Sequence, residues 1–185
     1  MPRRYWLVLF TRKTWGEFLK NGATVAGFKK GIKNVAQKIK PGDYLICYLT
    51  GYFCFIGVLG VRSEFYMDDS PIWEEDVFPV RFDCKLLYLL TPETAVYILN
   101  LKYKPSILKE IKTEPTLPGL FKGSPIEFKP DYGEIIVDLI KETIANLIEE
   151  SITKGSATGS LTLLKQKYAL QLFLKKIGRR KKKQN

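Results

Sequence analysis

Over the first 60 residues, Trp6, Trp15, Phe18, Phe28, Tyr44, Tyr48, Tyr52 and Phe53 are interleaved with ten lysines and arginines against two acids, a local charge of +8. Aromatic faces stack on nucleobases and cations neutralise phosphates, so this combination meets the needs of a nucleic-acid surface. A lysine-rich solubilising face is the alternative that composition leaves open. The remaining charge is uneven: −5 over residues 61–100, +3 over 101–130, −4 over 131–160 and +9 over the last 25. The basic run Arg179-Arg180-Lys181-Lys182-Lys183 reads as a linker or an auxiliary phosphate contact.

The residue types exclude other chemistry. The chain has no histidine, which removes Ser-His-Asp and Cys-His catalysis, histidine-containing zinc sites and imidazole pH switches. Cys47, Cys54 and Cys84 form no CxxC pair and leave one thiol over if two were joined, so neither a zinc ribbon nor a disulfide framework fits, and a reducing compartment is expected. No G-x-x-x-x-G-K-[ST] loop is present, and Gly27-Phe-Lys-Lys-Gly31 is no substitute for one. The acidic Glu74-Glu75-Asp76 reads as an exposed turn. No apolar run approaches the roughly 18 residues of a membrane span, and Met1-Pro2-Arg3-Arg4 lacks a signal peptide's apolar region. A cytoplasmic, non-catalytic binding domain with no cofactor and no membrane partner is expected.

At 185 residues and 45% hydrophobic, the chain has the length of one domain with an appendage. Arg4 to Phe10 reads as a buried strand, followed by a helix from Thr14 to Asn21 capped by Thr14 or Thr11 and stopped at Gly22. A second helical turn is expected from Gly31 to Ile39, ahead of the tight-turn signal Lys40-Pro41-Gly42-Asp43. Tyr44–Thr50 and Tyr52–Val61 read as a hairpin turning at Gly51. Strands resume at Phe78–Leu90, broken at Pro79, and Thr91-Pro92-Glu93 opens a helix toward Leu99. A Pro/Gly-rich loop covers Thr113 to Pro130, and apolar residues from Ile135 to Ile148 recur at helical spacing across Tyr132–Ile152. Lys154 to Ser160 is a flexible break before an amphipathic helix from Leu161 to Ile177.

Several of these segments resemble one family when taken in order. They are Tyr5-Trp6-Leu7-Val8-Leu9-Phe10, Gly27-Phe28, Ile39-Lys40-Pro41-Gly42-Asp43, Tyr48-Leu-Thr-Gly51, Phe55-Ile-Gly57-Val58, Tyr66-x-Asp68-Asp69-Ser-Pro71-Ile72-Trp73 and Phe78-Pro79-Val-Arg81. The string is similar to the EVE domain, of the superfamily that includes PUA and YTH modules, over roughly residues 4–145. The resemblance implies an α+β fold: a PUA/YTH-like EVE pseudo-barrel of mixed strands with flanking helices, spanning 1–150. Residues 151–185 would be a helical appendage with a linker, an amphipathic helix and a basic tail. The chain also resembles the N-terminal specificity part of archaeal McrB-type restriction proteins, which implies an AAA+ GTPase beyond these residues and, through it, a McrC-type nuclease as partner.

The resemblance implies binding of a modified base by extruding it into an aromatic pocket, at a cost of a few kcal/mol that stacking must offset. Trp73 follows a polar turn with no evident core strand to belong to, and reads as a pocket wall or as a cover for the barrel's open end. Similarity to YTH and EVE domains points to Phe10, Thr11, Trp15 and Phe28 as further walls, with core strand and helix packing as the alternative for Phe10 and Trp15. YTH domains carry tryptophan in the segment corresponding to Phe28. Thr11 is placed to meet a base edge, and Asp68 or Asp69 to accept from an exocyclic N–H, with turn capping as their alternative. Arg12, Lys13, Lys29, Lys30 and Lys33 are assigned to phosphates.

The expected function is recognition of a methylated base, N6-methyladenine ahead of 5-methylcytosine, in duplex DNA, targeting a McrBC-type restriction complex. Modified RNA is the alternative ligand. An enzyme and a protein-docking domain using the helices after residue 131 are the readings from other classes.

Overall fold

Strand β1 (Tyr5–Phe10) is aromatic or aliphatic at every position and is buried along almost its whole length. A strand buried on both faces must lie inside a sheet. In the computed structural model, which describes residues 2–74, 77–98, 101 and 123–153, β1 pairs in parallel with β3 (Tyr44–Leu49) and antiparallel with β8 (Ile126–Phe128). The sheet runs β2 (Val25–Phe28), β6 (Val80–Leu89), β4 (Cys54–Val61), β3, β1, β8. Two short strands lie off this path, β5 (Tyr66–Met67) on β6 and β7 (Val96–Tyr97) on β4. Three helices are described: α1 (Arg12–Lys20), the single-turn α2 (Lys33–Ala36) and α3 (Pro130–Thr153). The result is a curled mixed sheet with flanking helices, the α+β architecture expected.

The parallel start of β1 and β3 depends on Asp43. Gly42 holds φ at +96°, a conformation that favours glycine, and turns the chain so that the Asp43 side chain points inward. Its carboxylate accepts from the Trp6 indole (3.1 Å), the Arg4 backbone N–H (3.1 Å) and the Lys40 backbone N–H (3.0 Å). The Asp43 backbone in turn accepts from Val61 N–H at 2.9 Å, so one residue ties the ends of β1, β3 and β4.

Strand β6 joins two parts of the sheet. Its first residues, Val80 to Asp83, pair with β2, and Cys84 to Leu89 pair with β4, with a bulge at Val58/Leu59. Val80, Phe82 and Cys84 face the core, while Arg81 alternates to the other face. Helix α3 buries Ile136, Val137 and Ile140, and Gly133 lets the helix backbone lie against the Tyr5 ring of β1, where any Cβ would collide.

The elements differ from the sequence expectations in three places. Val25–Phe28 is a strand that local pattern did not reveal. The expected helix over 31–39 is a 3-10 turn at Lys30–Ile32 followed by four residues of α2. The expected helix after Thr91 is a single 3-10 turn, Pro92–Thr94, because Val96 and Tyr97 pair with Phe55 and Cys54 instead. By contacts the chain divides into Met1–Ile140 and Lys141–Asn185. The expected loop over 113–122, the break at 154–160, the helix over 161–177 and the basic tail lie outside the described residues.

Replacing Asp43 by alanine leaves a buried indole N–H and two backbone N–H groups without an acceptor, each worth about 1–3 kcal/mol. The expected outcome is a loss of roughly 3 kcal/mol or more in urea unfolding, against a change within about 0.5 kcal/mol for the exposed Asp69→Ala.

Candidate nucleic-acid interface

Residues 66–74 and 77–79 lie over the outer face of β2 and β6, and Arg81 organises them. Arg81 lies opposite Gly27 on one side and Tyr66 on the other, and it is almost fully buried. Its guanidinium donates to Phe78 O (3.1 Å), to Ser70 Oγ (2.9 Å) and to the Ser70 carbonyl, and pairs with Asp68 at 2.8 Å. Asp68 also accepts from Ser70 N–H at 2.8 Å. These contacts, the Ser70 backbone bond first, hold the Asp68 carboxyl below its usual range. Asp68 is therefore a turn cap and the partner of Arg81, whereas Asp69 is exposed.

Trp73 lies at the centre of this cover. The residues on both sides of it are tied to α1: Asn21 Nδ2 donates to Ile72 O (3.0 Å), and Glu74 N–H reaches Glu17 Oε1 (3.4 Å). Lys13 adds an ion pair with Glu74 at 3.4 Å. The indole rests on the bare backbone of Gly27, where an added Cβ would come within 2.6 Å of Cζ3. Phe78 meets the indole edge-on at 4.9 Å and the Arg81 guanidinium lies 5.9 Å from its centre. Trp73 is 6% exposed, yet its Nε1–H is buried without an acceptor among the described residues. A buried donor left unpaired costs about 1–3 kcal/mol.

The other aromatic candidates form a second group. Phe10 packs edge-on against Trp15 at 5.0 Å and near Phe18 at 5.4 Å, and Trp15 stacks on Phe18 at 5.3 Å. Trp15 also covers Gly57, whose missing side chain would sit 3.4 Å from the indole. Phe28 points to the opposite side of β2 from Gly27 and meets Phe82 edge-on at 5.9 Å, inside the sheet. All three are buried. Thr11 is exposed and caps α1: its hydroxyl accepts from Thr14 N–H (3.1 Å) while Thr14 Oγ1 accepts from Thr11 N–H (2.9 Å).

Arg12 and Lys13 occupy the first turn of α1, which contains no acid, so two cations stand at the positive end of a helix dipole. Lys29, Lys30 and Lys33 are exposed where β2 runs into α2. The structure thus gathers Lys13, Trp73 and Asp68 with Gly27, and keeps Phe10 with Trp15. Arg81, Ser70, Phe78 and Glu17 complete the Trp73 surroundings without having been singled out. In the sequence Arg81 stands out only as part of the family string Phe78-Pro79-Val-Arg81 and as an arginine alternating with Val80, Phe82 and Cys84 in a strand. The cysteines behave as small apolar residues: burial raises the thiols of Cys47, Cys54 (to about 11) and Cys84 (to about 12), well away from nucleophilic character.

Residues 4–120 match the EVE domain family, and the chain belongs to it. A UPF0310 protein of Saccharolobus solfataricus is 27% identical over 167 residues, covering 82% of this chain and 96% of that protein. A UPF0310 protein of Pyrococcus horikoshii is 28% identical over 143 residues, covering 69% and 91%. Among solved structures the fold is shared with YTH domains. The YTH domain-containing protein Mmi1 in complex with RNA superposes with a TM-score of 0.60 at 16% identity, covering 80% of this chain and 87% of that one. The Pho92 YTH domain in complex with m6A gives 0.55 at 21% identity, covering 75% and 84%.

Gly27→Ala is expected to push the Trp73 indole out of its seat. Steady-state tryptophan fluorescence should shift to the red and its quenching by acrylamide should increase, while Gly16→Ala, whose Cβ meets nothing within 4 Å, should leave both unchanged.

Proposed function

We propose that this domain reads a methylated base in nucleic acid, binding it without chemistry of its own, and that the Trp73 site receives the extruded base. The observation that carries the reading is the buried Trp73 Nε1–H, unpaired among the described residues, beside an Arg81 whose three guanidinium nitrogens are each hydrogen-bonded. A base offers ring nitrogens and carbonyl oxygens as acceptors, and such a bond would recover the free energy the orphan donor now costs. In this reading Asp68 acts through Arg81, Thr11 and Asp69 are the polar groups offered to the base from outside, and Phe10, Trp15 and Phe28, packed in groups of their own, hold the strands and helix that frame the site. Arg12, Lys13, Lys29, Lys30 and Lys33 contact phosphates.

N6-methyladenine is preferred to 5-methylcytosine because the structural relatives include a YTH domain of Zygosaccharomyces rouxii MRB1 solved with N6-methyladenosine RNA, at a TM-score of 0.53 and 17% identity. Duplex DNA is the ligand proposed, in the cytoplasm, with targeting of a McrBC-type restriction complex and its McrC-type nuclease. That link rests on the sequence resemblance; in the Saccharolobus relative the aligned residues fill 96% of the protein, leaving no room there for a motor. Methylated RNA is the second reading, favoured by the RNA complexes of the YTH relatives.

Fluorescence anisotropy with matched unmodified, N6-methyladenine and 5-methylcytosine duplexes, and with N6-methyladenosine single-stranded RNA, tests the proposal. One well-packed methyl is worth about 0.8 kcal/mol, or roughly a fourfold preference. That preference should vanish in Trp73→Ala while weak, salt-dependent binding persists. Arg12→Ala should lower the log–log salt slope by about 1 for every ligand alike. Equal binding to all four ligands would contradict the methyl-base reading, and a preference confined to RNA would replace the DNA assignment.

A further inference from the structure

The turn between β3 and β4 carries two neighbouring aromatic rings in solvent, Tyr52 at 36% and Phe53 at 41% exposure. Neither ring has a core role, and the site described above does not use them. Phe53 holds φ at +55°, a region that favours glycine and penalises a bulky side chain. The turn is also held firmly. Thr50 donates from both its backbone N–H (2.8 Å) and its hydroxyl (3.0 Å) to the Phe10 carbonyl, and Ile98 N–H donates to the Phe53 carbonyl at 2.9 Å. A bulky aromatic kept exposed and strained at a rigid turn, where glycine would fit better, points to a function for the ring.

Phe10 immediately precedes Thr11, the cap of α1, so the bonds from Thr50 fix this turn against the helix end that carries Arg12 and Lys13. The turn that carries the aromatic pair is thus bonded to the strand end two residues ahead of the two cations, and α1 in turn is tied to the residues flanking Trp73. Flat rings beside positive charge suit a nucleobase with its phosphate, and preordered rings lose little freedom on binding. We propose that Tyr52 and Phe53 form a stacking platform for a base flanking the one extruded at Trp73. This rests on the nucleic-acid reading above, and it places a second base contact on a different element.

The full chain is titrated with N6-methyladenine oligonucleotides, and their unmethylated counterparts, that carry 2-aminopurine at successive flanking positions. At one position the wild type should quench 2-aminopurine fluorescence by stacking. In Phe53→Gly the quenching should be lost and affinity should fall about 5- to 30-fold. Thermal stability should be unchanged or higher, because glycine relieves the positive φ. Tyr52→Ser should weaken binding in the same direction. A structural role for Phe53 would instead lower stability together with affinity, and that result overturns the platform, as does wild-type affinity and quenching in both variants. Absence of any oligonucleotide binding overturns it as well. If the wild type ignores methylation but Phe53→Gly still weakens both ligands and loses quenching, the platform stands and the methyl-base reading falls.

Discussion

The carboxylate of Asp43 holds the frame on which everything else is placed. Parallel neighbours cannot be joined by a tight turn, so the register of β1 against β3 must be set by long-range contacts. Here it is set at one end by a buried acid that accepts from Trp6, Arg4 and Lys40 and lies beside the Arg4 guanidinium at 3.7 Å. With that end anchored, the pairing runs from Tyr5 opposite Tyr44 to Phe10 opposite Leu49 without interruption. The far end then delivers the α1 cap and the β3–β4 turn side by side. A short Pro-Gly-Asp sequence thus acts at a distance from itself, on where the opposite end of the sheet presents its cations and aromatic rings.

The Trp73 site is built by a different device, a charged residue buried on the outer face of a strand. Arg81 would ordinarily face water, and its burial is tolerated because carbonyls, a hydroxyl and a carboxylate satisfy the guanidinium. That arrangement holds Asp68, Ser70 and Phe78 beside β6, and Gly27 supplies the flat space into which Trp73 settles. Among the described residues, the Trp73 indole N–H is the buried side-chain polar atom left without a partner. One unmade bond in an otherwise satisfied cluster is the feature expected of a site that completes its hydrogen bonding on a ligand.

Legibility in the sequence followed the range of the interactions. Strand β1, the β3–β4 hairpin and helix α3 carry their own periodicity or turn residues, so local reading located them within a few residues. Val25–Phe28 carries none: four residues with a glycine inside are a strand only because Val80 to Asp83, more than fifty positions away, pair with them. Arg81 was invisible as a site residue for the same reason, since a lone charge in a strand reads as solvent-facing until another segment covers it. The aromatic types were legible, but their distribution was not. Phe10 packs with Trp15 of α1, Phe28 turns inward to Phe82, and Trp73 sits apart with Arg81; the pleat sets the facing of Phe28 and Arg81, while helix and loop place the two tryptophans.

The chain's three tryptophans make the central claim directly observable. In a ¹H–¹⁵N correlation spectrum each indole N–H gives one signal; that of Trp6 is engaged by Asp43, and that of Trp73 is unpaired. On addition of an N6-methyladenine oligonucleotide, the Trp73 indole signal should move downfield as its N–H gains an acceptor, while the Trp6 signal stays in place. A Trp73 signal that does not respond, while amides around Arg12 and Lys33 shift, would contradict the account: nucleic acid would then bind the basic face without entering the site.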